Sequence, residues 1–431
     1  MASRSRGRVL ILTAATGNGH LAIANAIKKD LDSSYLPYLE TRIVNPFVPE
    51  YCGCALNSFL GLYGPVVRRA PRLYSLFYNS MGIRGCSKLG MGLARWQMHP
   101  AFEELIASPL NRAIITTHAI FPQLIAPILP ASRDFATIAV VTDLEVAEPV
   151  YCSPSIDRYL AMTEEVGRDL ANQGVPLSRI SVIGHIYDRE AVGRARTQRE
   201  ETRRRLGVGP SEGLVVLSGG GDGAGALRQM VDSLQEAHAP AKLAVVCGAN
   251  RRLYRRFTSS DRYRSVHVRG RARDFLELVA AADVLVTKAG AATMMEAVAT
   301  GTSLVVVHNL PGQERHNAEY IQSHGYGVVA STVPCAVSAV QGALLARLAT
   351  RQAEPRAIRR DIYPSSPLVQ ALTPELGPAS YQEVFDSPGG DTGLARATSG
   401  IPSEGAKPLL TGSRRSGLFT QHRSAQVGYT E

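Results

Sequence analysis

The 431-residue chain has no C-x-x-C pair, and its six cysteines (Cys52, Cys54, Cys86, Cys152, Cys247, Cys335) follow no regular spacing. That argues against a zinc ribbon or a disulfide framework and makes a reducing compartment the default. No uninterrupted apolar run approaches the roughly 18 residues needed to span a bilayer; the stretch "AIITTHAIFPQLIAPILP" is broken by His118 and three prolines. The start, "MASRSRGRVLILTAATGNGH", has the basic head and short apolar run of a signal peptide, but a Gly-rich turn ends the run within a few residues, so it reads as a first strand. No G-x-x-x-x-G-K-[ST] loop is present, which argues against a P-loop nucleotide hydrolase. Acidic residues are missing altogether between Tyr51 and Phe102, a stretch that holds Arg68, Arg69, Arg72, Arg84, Lys88 and Arg95 among aromatic residues and glycines. A segment both basic and apolar suits the surface of an anionic membrane; helix packing with a solvated basic edge is the other reading.

What is present is globular: 45% hydrophobic and 19% charged residues, enough chain for two α/β domains, and a formal net charge of +10. The excess of positive charge favours an acidic counterpart, whether a phosphate ligand, an anionic membrane or nucleic acid. Nucleic acid is the weakest of these, because no reader motif accompanies the charge. From Val9 the chain alternates β-branched runs with helical patterns ("VLILTAA", "HLAIANAIKKDL", "RAIITTH", "TIAVVTD", "RYLAMT", "ISVIG"), a βαβ rhythm that predicts a parallel sheet covered by helices on both faces. After Gly184 the charged, strandless "HIYDREAVGRARTQREETRRRLGVGP" interrupts it, and at "LVVLSGGG" it restarts. The expected organisation is a first domain over 8–186, a linker over 187–210, a second domain over 211–353 and a disordered Pro-, Ser-, Gly- and Arg-rich tail over 354–431.

In open α/β sheets the ligand sits beyond the carboxyl ends of the strands. Polar residues of the second domain gather at those ends. Lys288 and Gly290 close one strand, and "AGAAT", containing Ala292 and Thr293, turns into a helix whose first amides are free for an anion such as a diphosphate. Glu296, read as lying in the first turn of that helix, can accept hydrogen bonds from a diol such as ribose, although capping electrostatics alone would also put a carboxylate there. "PGQERHN" sets Gln313, Glu314 and Asn317 at the next helix start, an amide and carboxylate set suited to a hydroxyl-rich sugar. "SGGGDGAGAL" supplies a second Gly-rich loop, with Gly219 and Gly220; no acidic residue closes the following strand, so NAD is disfavoured. Asp30 and Asp32 form a D-x-D at a predicted helix end, a poor place for a metal-diphosphate site, so no metal is expected. In the first domain, "TAATGNGH" places Gly19 and His20 at a helix mouth, where a neutral imidazole can take a proton from a hydroxyl, or serve only as a cap or phosphate contact. His118 and Asp143 also end strands and are candidates for positioning or acceptor contact.

The set "ILTAATGNGHLAIANAI", "ITTHAIFPQLIAP", "VVTDLE", "SGGGDGAGA", "VVCGAN", "TKAGAATMMEA" and "PGQERHNAEYI", in this order and covering about residues 8 to 350, resembles the monogalactosyldiacylglycerol synthase and processive diacylglycerol glucosyltransferase family. The resemblance implies a GT-B fold, two Rossmann-like parallel-sheet domains facing a cleft, the first binding the acceptor and the second a UDP-sugar. It implies inverting transfer of a hexose to diacylglycerol or a related glycerolipid, without a catalytic metal or other cofactor, by a peripheral protein at the cytoplasmic face of a membrane, where Arg68, Arg69 and Arg72 would meet anionic lipid. His20 would be the base; Gly219, Gly220 and the "TKAGAAT" turn would meet the diphosphate, Glu296 the ribose, and Gln313, Glu314 and Asn317 the sugar. The backbone near Arg271 would face the uracil. The chain departs from the family pattern at Ala291 and Ala292, where a Pro-Gly pair is usual, at "EVAEPVYCS", which replaces a His-Pro-x-Trp element, and at "GHIYDRE", which lacks the usual prolines. Three other functions compete: N-acetylglucosamine transfer to a polyprenyl diphosphate, a non-catalytic UDP-sugar-binding module, and a soluble transferase for a small natural product.

Overall fold

The computed structural model describes residues 7–14, 19–33, 39–54, 56, 58, 92–308, 313–350 and 371–372. Arg68, Arg69 and Arg72 lie outside the described residues, as does the expected tail apart from Ala371 and Leu372, which are helical.

The first lobe is built from β1 (Gly7–Leu12), α1 (Gly19–Ser33), β2 (Leu39–Val44), α2 (Pro100–Ala107), β3 (Asn111–Thr116), α3 (Phe121–Ile125), β4 (Ala136–Val141), β5 (Arg158–Ala161), α4 (Glu164–Asn172) and β6 (Ile180–Val182). Its six strands are parallel, in the order β2-β1-β3-β4-β5-β6. Both faces are covered, so β4 is buried at every position and reads as the continuous run "ATIAVV". Helix α1 turns Ile23, Ile27 and Leu31 inward at four-residue spacing, one stripe of an amphipathic helix.

Two short helices, α5 (Arg189–Thr197) and α6 (Arg199–Arg205), occupy the charged stretch between the sheets. Asp188 caps α5 by accepting from the Ala191 amide at 2.8 Å. Arg203 and Arg199 of α6 each reach an oxygen of Asp283 at 3.0 Å; Asp283 is 1% exposed, and its carboxylate also takes the Leu214 amide. A buried carboxylate held by two guanidinium groups and a backbone amide fixes α6 to the base of the second sheet.

The second lobe continues with β7 (Gly213–Ser218), α7 (Leu227–Glu236), β8 (Ala241–Val246), α8 (Arg251–Thr258), β9 (Val266–Arg269), α9 (Phe275–Ala281), β10 (Val284–Lys288), α10 (Ala291–Thr300), β11 (Ser303–His308), α11 (Gln313–Ser323), β12 (Gly327–Val329) and α12 (Val333–Thr350). Its parallel strands run β12-β11-β10-β7-β8-β9. Strand order reverses between β7 and β10 here, and between β1 and β3 in the first sheet. Loops leaving neighbouring strands to opposite faces open a crevice at such points. One apolar cluster joins the lobes: Val9, Ile27 and Ile138 of the first belong with Val216, Leu285 and Met294 of the second, and Leu372 is buried in it.

Candidate functional site

The two Gly-rich turns of the second lobe leave β7 and β10, the strands that flank the reversal. After β7 the chain folds back on itself, with the Ala224 amide donating to the Gly219 carbonyl and the Gly223 amide to the Gly220 carbonyl, each at 3.0 Å. A Cβ on Gly219 would collide with the Ala224 backbone, its carbonyl oxygen and, at 2.6 Å, its nitrogen, so only glycine permits this return. Gly220 has φ +70. After β10, Gly290 starts α10 with no side-chain cap, which leaves the first amides of that helix directed toward the crevice. Lys288 links the two turns. Its Cε lies 2.7 Å from where a Gly220 Cβ would be, and its ammonium is paired with Glu314 of α11.

From the first lobe, His20 enters as the second residue of α1. Its Nδ1 lies 2.7 Å from the Thr117 carbonyl and 3.3 Å from Thr142 Oγ1, which in turn lies 3.2 Å from the buried Tyr151 hydroxyl. A carbonyl only accepts, so Nδ1 carries the proton and Nε2 keeps its lone pair. Burial, opposed by the Thr117 hydrogen bond and reinforced by the Lys288 charge, pulls the imidazole down to about 4. It is therefore neutral at pH 7. His118 packs against it with ring centroids 4.5 Å apart. The Ile120 amide donates to His118 Nδ1 at 3.3 Å, which puts the His118 proton on Nε2, and burial followed by the neighbouring His20 holds this ring well below the usual histidine range.

A cavity of about 290 Å³ is lined by both sets. It brings together Gly19, His20 and Asp143 of the first lobe with Gly219, Gly220, Arg271, Lys288, Gly290, Ala292, Thr293, Glu296, Glu314 and Asn317 of the second. The lobes are close here: a Cβ on Gly19 would stand 3.8 Å from the Ala292 Cβ. His118 is not among the lining residues and lies behind His20. Gln313 is the first residue of α11, but its side chain lies outside the described residues.

Two further placements differ from expectation. Because α10 already begins at Ala291, directly after Gly290, Glu296 lies in its second turn rather than its first. Burial, and then the Asp188 charge, push Glu296 up to about 7. Asn317 lines the cavity, yet both ends of its carboxamide are engaged by backbone: Oδ1 accepts from the Leu144 amide at 3.0 Å and Nδ2 donates to the Ala289 carbonyl at 3.4 Å. Sequence reasoning also missed Thr142, Ser218, Asp222, Gly248 and Phe275 in the lining and Tyr151 behind it. Thr142 stands beside Asp143 at a strand end and was within reach of the same argument; Tyr151 carries no sequence signal.

The site as a whole presents helix-end amides and an ammonium on one wall and a neutral imidazole on the other. That is a place where an anion can leave while a proton is taken up.

Comparison with known proteins agrees with this chemistry. The family model of monogalactosyldiacylglycerol (MGDG) synthase matches residues 20–186, and that of the glycosyltransferase family 28 C-terminal domain matches residues 214–358. The chain is 25% identical over 330 residues to monogalactosyldiacylglycerol synthase 2, chloroplastic, of Arabidopsis thaliana, covering 74% of this chain and 70% of that one. It is 28% identical over 335 residues to a probable monogalactosyldiacylglycerol synthase 2 of Oryza sativa subsp. indica, with the same coverage of 74% and 70%. Among solved structures, a UDP-GlcNAc 2-epimerase of Methanocaldococcus jannaschii in complex with UDP-GlcNAc and UDP superposes with a TM-score of 0.53 at 11% identity, covering 85% of this chain and 99% of that one. Medicago truncatula UGT71G1 complexed with UDP-glucose gives 0.52 at 11% identity, covering 88% and 100%. At these identities the structural likeness speaks to fold alone, and the fold is the expected GT-B arrangement of two α/β domains.

Proposed function

Because the chain belongs to the monogalactosyldiacylglycerol synthase family of GT-B glycosyltransferases, we propose that it transfers a hexose from a UDP-sugar to the free hydroxyl of diacylglycerol or a close glycerolipid, at a membrane surface. The observation that carries this reading is the shared cavity: His20 on one wall faces the N-terminus of α10 and Lys288 on the other. His20 Nε2 takes the acceptor's proton as the acceptor oxygen bonds to the anomeric carbon. The bond from that carbon to the diphosphate breaks, and its electron pair leaves with UDP. Growing charge on the leaving group is met by the amides of α10 and by Lys288, groups already fixed before the reaction begins. Attack from the face opposite the leaving group inverts the anomeric configuration.

For donor recognition, this reading gives Glu296 the ribose diol, Glu314 with its neighbour Gln313 the sugar, and the backbone near Arg271 the uracil; Glu296, Glu314 and Arg271 line the cavity. In this reading the anion is held by helix-end amides and an ammonium, so the chemistry calls for no divalent ion. Asp143 and Gly19 belong to the acceptor side with His20. In this reading the working protein is a peripheral enzyme at the cytoplasmic face of a membrane, with the basic stretch around Arg68, Arg69 and Arg72 against anionic lipid; no helix among the described residues is long and apolar enough to cross a membrane.

Replacing the base tests the mechanism. His20→Ala is expected to lower kcat by roughly 10²–10⁴-fold, the usual contribution of a positioned general base, while UDP affinity measured by calorimetry stays within about twofold of wild type. Transfer near the wild-type rate would remove His20 from the reaction. Radiolabelled UDP-galactose and UDP-glucose offered with diacylglycerol, and separately with a polyprenyl diphosphate, fix donor and acceptor; product on the polyprenyl acceptor alone would overturn the glycerolipid assignment.

A further inference from the structure

Asn317 is 3% exposed, and its carboxamide makes one hydrogen bond to each of the two lobes. Leu144 N–H can only donate and the Ala289 carbonyl can only accept, so the orientation of the amide is fixed: oxygen toward Leu144, nitrogen toward Ala289. The two partners sit at telling places. Leu144 follows Thr142 and Asp143 in the loop after β4, and Thr142 Oγ1 is 3.3 Å from His20 Nδ1. Ala289 immediately precedes Gly290, the residue that starts the helix assigned to the diphosphate. Leu144 is pinned from its other side as well, its carbonyl accepting from Thr163 Oγ1 at 2.8 Å.

We propose that Asn317 is a positioning residue, a neutral clasp that sets the distance between the loop supporting the base and the turn that receives the leaving group. The proposal rests on the transferase reading above. Its geometry matters because a reacting oxygen, a base and a leaving group must line up to within a fraction of an ångström, and each of the first two is carried by one lobe while the third is carried by the other. Two other bridges, one from α11 and one from the residue just after it, use titratable groups: Tyr320 with His185 at 3.4 Å and His324 with Glu165 at 3.8 Å. The Asn317 bridge has no group that titrates. An amide supplies an acceptor on one side and a donor on the other in this volume without titrating; an ionised aspartate would keep the Leu144 bond and set a carboxylate oxygen against the Ala289 carbonyl.

The test pairs a structural readout with a kinetic one on the full-length protein. In Asn317→Ala, native-state hydrogen exchange at the Leu144 amide is expected to quicken by roughly tenfold, as for loss of one buried hydrogen bond. In the same variant kcat should fall by roughly tenfold or more, by the same factor with UDP-galactose and UDP-glucose, while UDP binding stays within about twofold. Asn317→Asp, nearly isosteric, should leave Leu144 protected and lose kcat as pH rises and the carboxyl ionises, because a carboxylate cannot donate to the Ala289 carbonyl. Unchanged Leu144 exchange in Asn317→Ala would overturn the clasp, as would a loss confined to one of the two sugars, which would make Asn317 a sugar contact. Absence of transfer by the wild-type protein would count against the transferase reading instead, since the exchange result stands without activity.

Discussion

Glu296 and His20 line one cavity, and burial drives both toward their neutral forms, in opposite directions on the pH scale. His20 is pulled down to about 4 and stays an unprotonated base throughout the neutral range. Its Nδ1 partner is the Thr117 carbonyl, so the imidazolium of the proposed reaction would be stabilised by a dipole and not by a carboxylate. In the proposed donor site Glu296, pushed up to about 7, offers both carboxyl oxygens as acceptors to the two hydroxyls of a diol only once ionised. Donor kcat/KM should therefore rise as pH increases through about 7, and Glu296→Gln should flatten that rise while weakening donor binding overall. Stability carries the opposite sign. Between the usual 4.5 of a free glutamate and about 7, the folded protein holds a proton that the unfolded chain releases, so stability falls as pH rises across that window and the loss is complete above it. The size is about 3 kcal/mol as an upper figure. Urea unfolding of Glu296→Gln is expected to match wild type at pH 4 and to exceed it at pH 8; equal midpoints at both pH values would mean that the carboxyl is solvated in the folded protein.

Elements decide what a glycine means. Gly219, Gly220 and Gly290 all read as phosphate-loop glycines in the sequence, yet they are held for different reasons. Gly219 has the Ala224 backbone where a Cβ would go, and Gly220 needs φ +70. Gly290 has φ -78, and the nearest atom to its missing Cβ is Lys288 Cε at 3.9 Å. Gly219→Ala is expected to open the loop, at about 2–4 kcal/mol of stability and with loss of UDP binding, whereas Gly290→Ala should fold within about 1 kcal/mol of wild type. Equal losses in thermal unfolding would refute the distinction. The same contrast explains what the sequence disclosed. Central strands such as β4 and β7 are buried at every position, so their apolar runs are unmistakable. Edge strands β2 and β12, the latter only Gly327–Val329, mix exposed and half-buried positions, with two buried ones in β2, and give no such run. The cavity-lining candidates were legible because strand ends are punctuated by Gly, His, Asp and Lys. The supports were not: Tyr151 reaches Thr142 through the folded loop after β4, and the polarity of Asn317 suggested a sugar although its partners are two backbone groups.

At the scale of the molecule, two sheets turn their strand-order reversals toward one crevice, and the lipid acceptor of the proposed function would require that crevice to be held at a bilayer. The formal charge of +10 supplies a general attraction to anionic lipid, concentrated in the acid-free stretch between Tyr51 and Phe102. At the described end of that stretch, residues 92–96 are helical, Leu93 is 58% exposed and Trp96 is 78% exposed, three residues apart on one face with exposed Arg95 beside them. Tryptophan favours the headgroup boundary, where its ring is half apolar and its N–H can hydrogen-bond. Trp96 is the only tryptophan in the chain, so its emission reports this face alone. Vesicles containing phosphatidylglycerol should shift that emission to the blue, vesicles of phosphatidylcholine should not, and 0.5 M salt should reverse the shift as the surface charges are screened. Neutralising Arg68, Arg69 and Arg72 together should weaken binding by roughly a hundredfold, at about 1 kcal/mol for each basic residue near the surface. Binding by sedimentation without a change in Trp96 emission would place the bilayer against a different face, and no binding to either vesicle would leave the basic stretch with packing as its role.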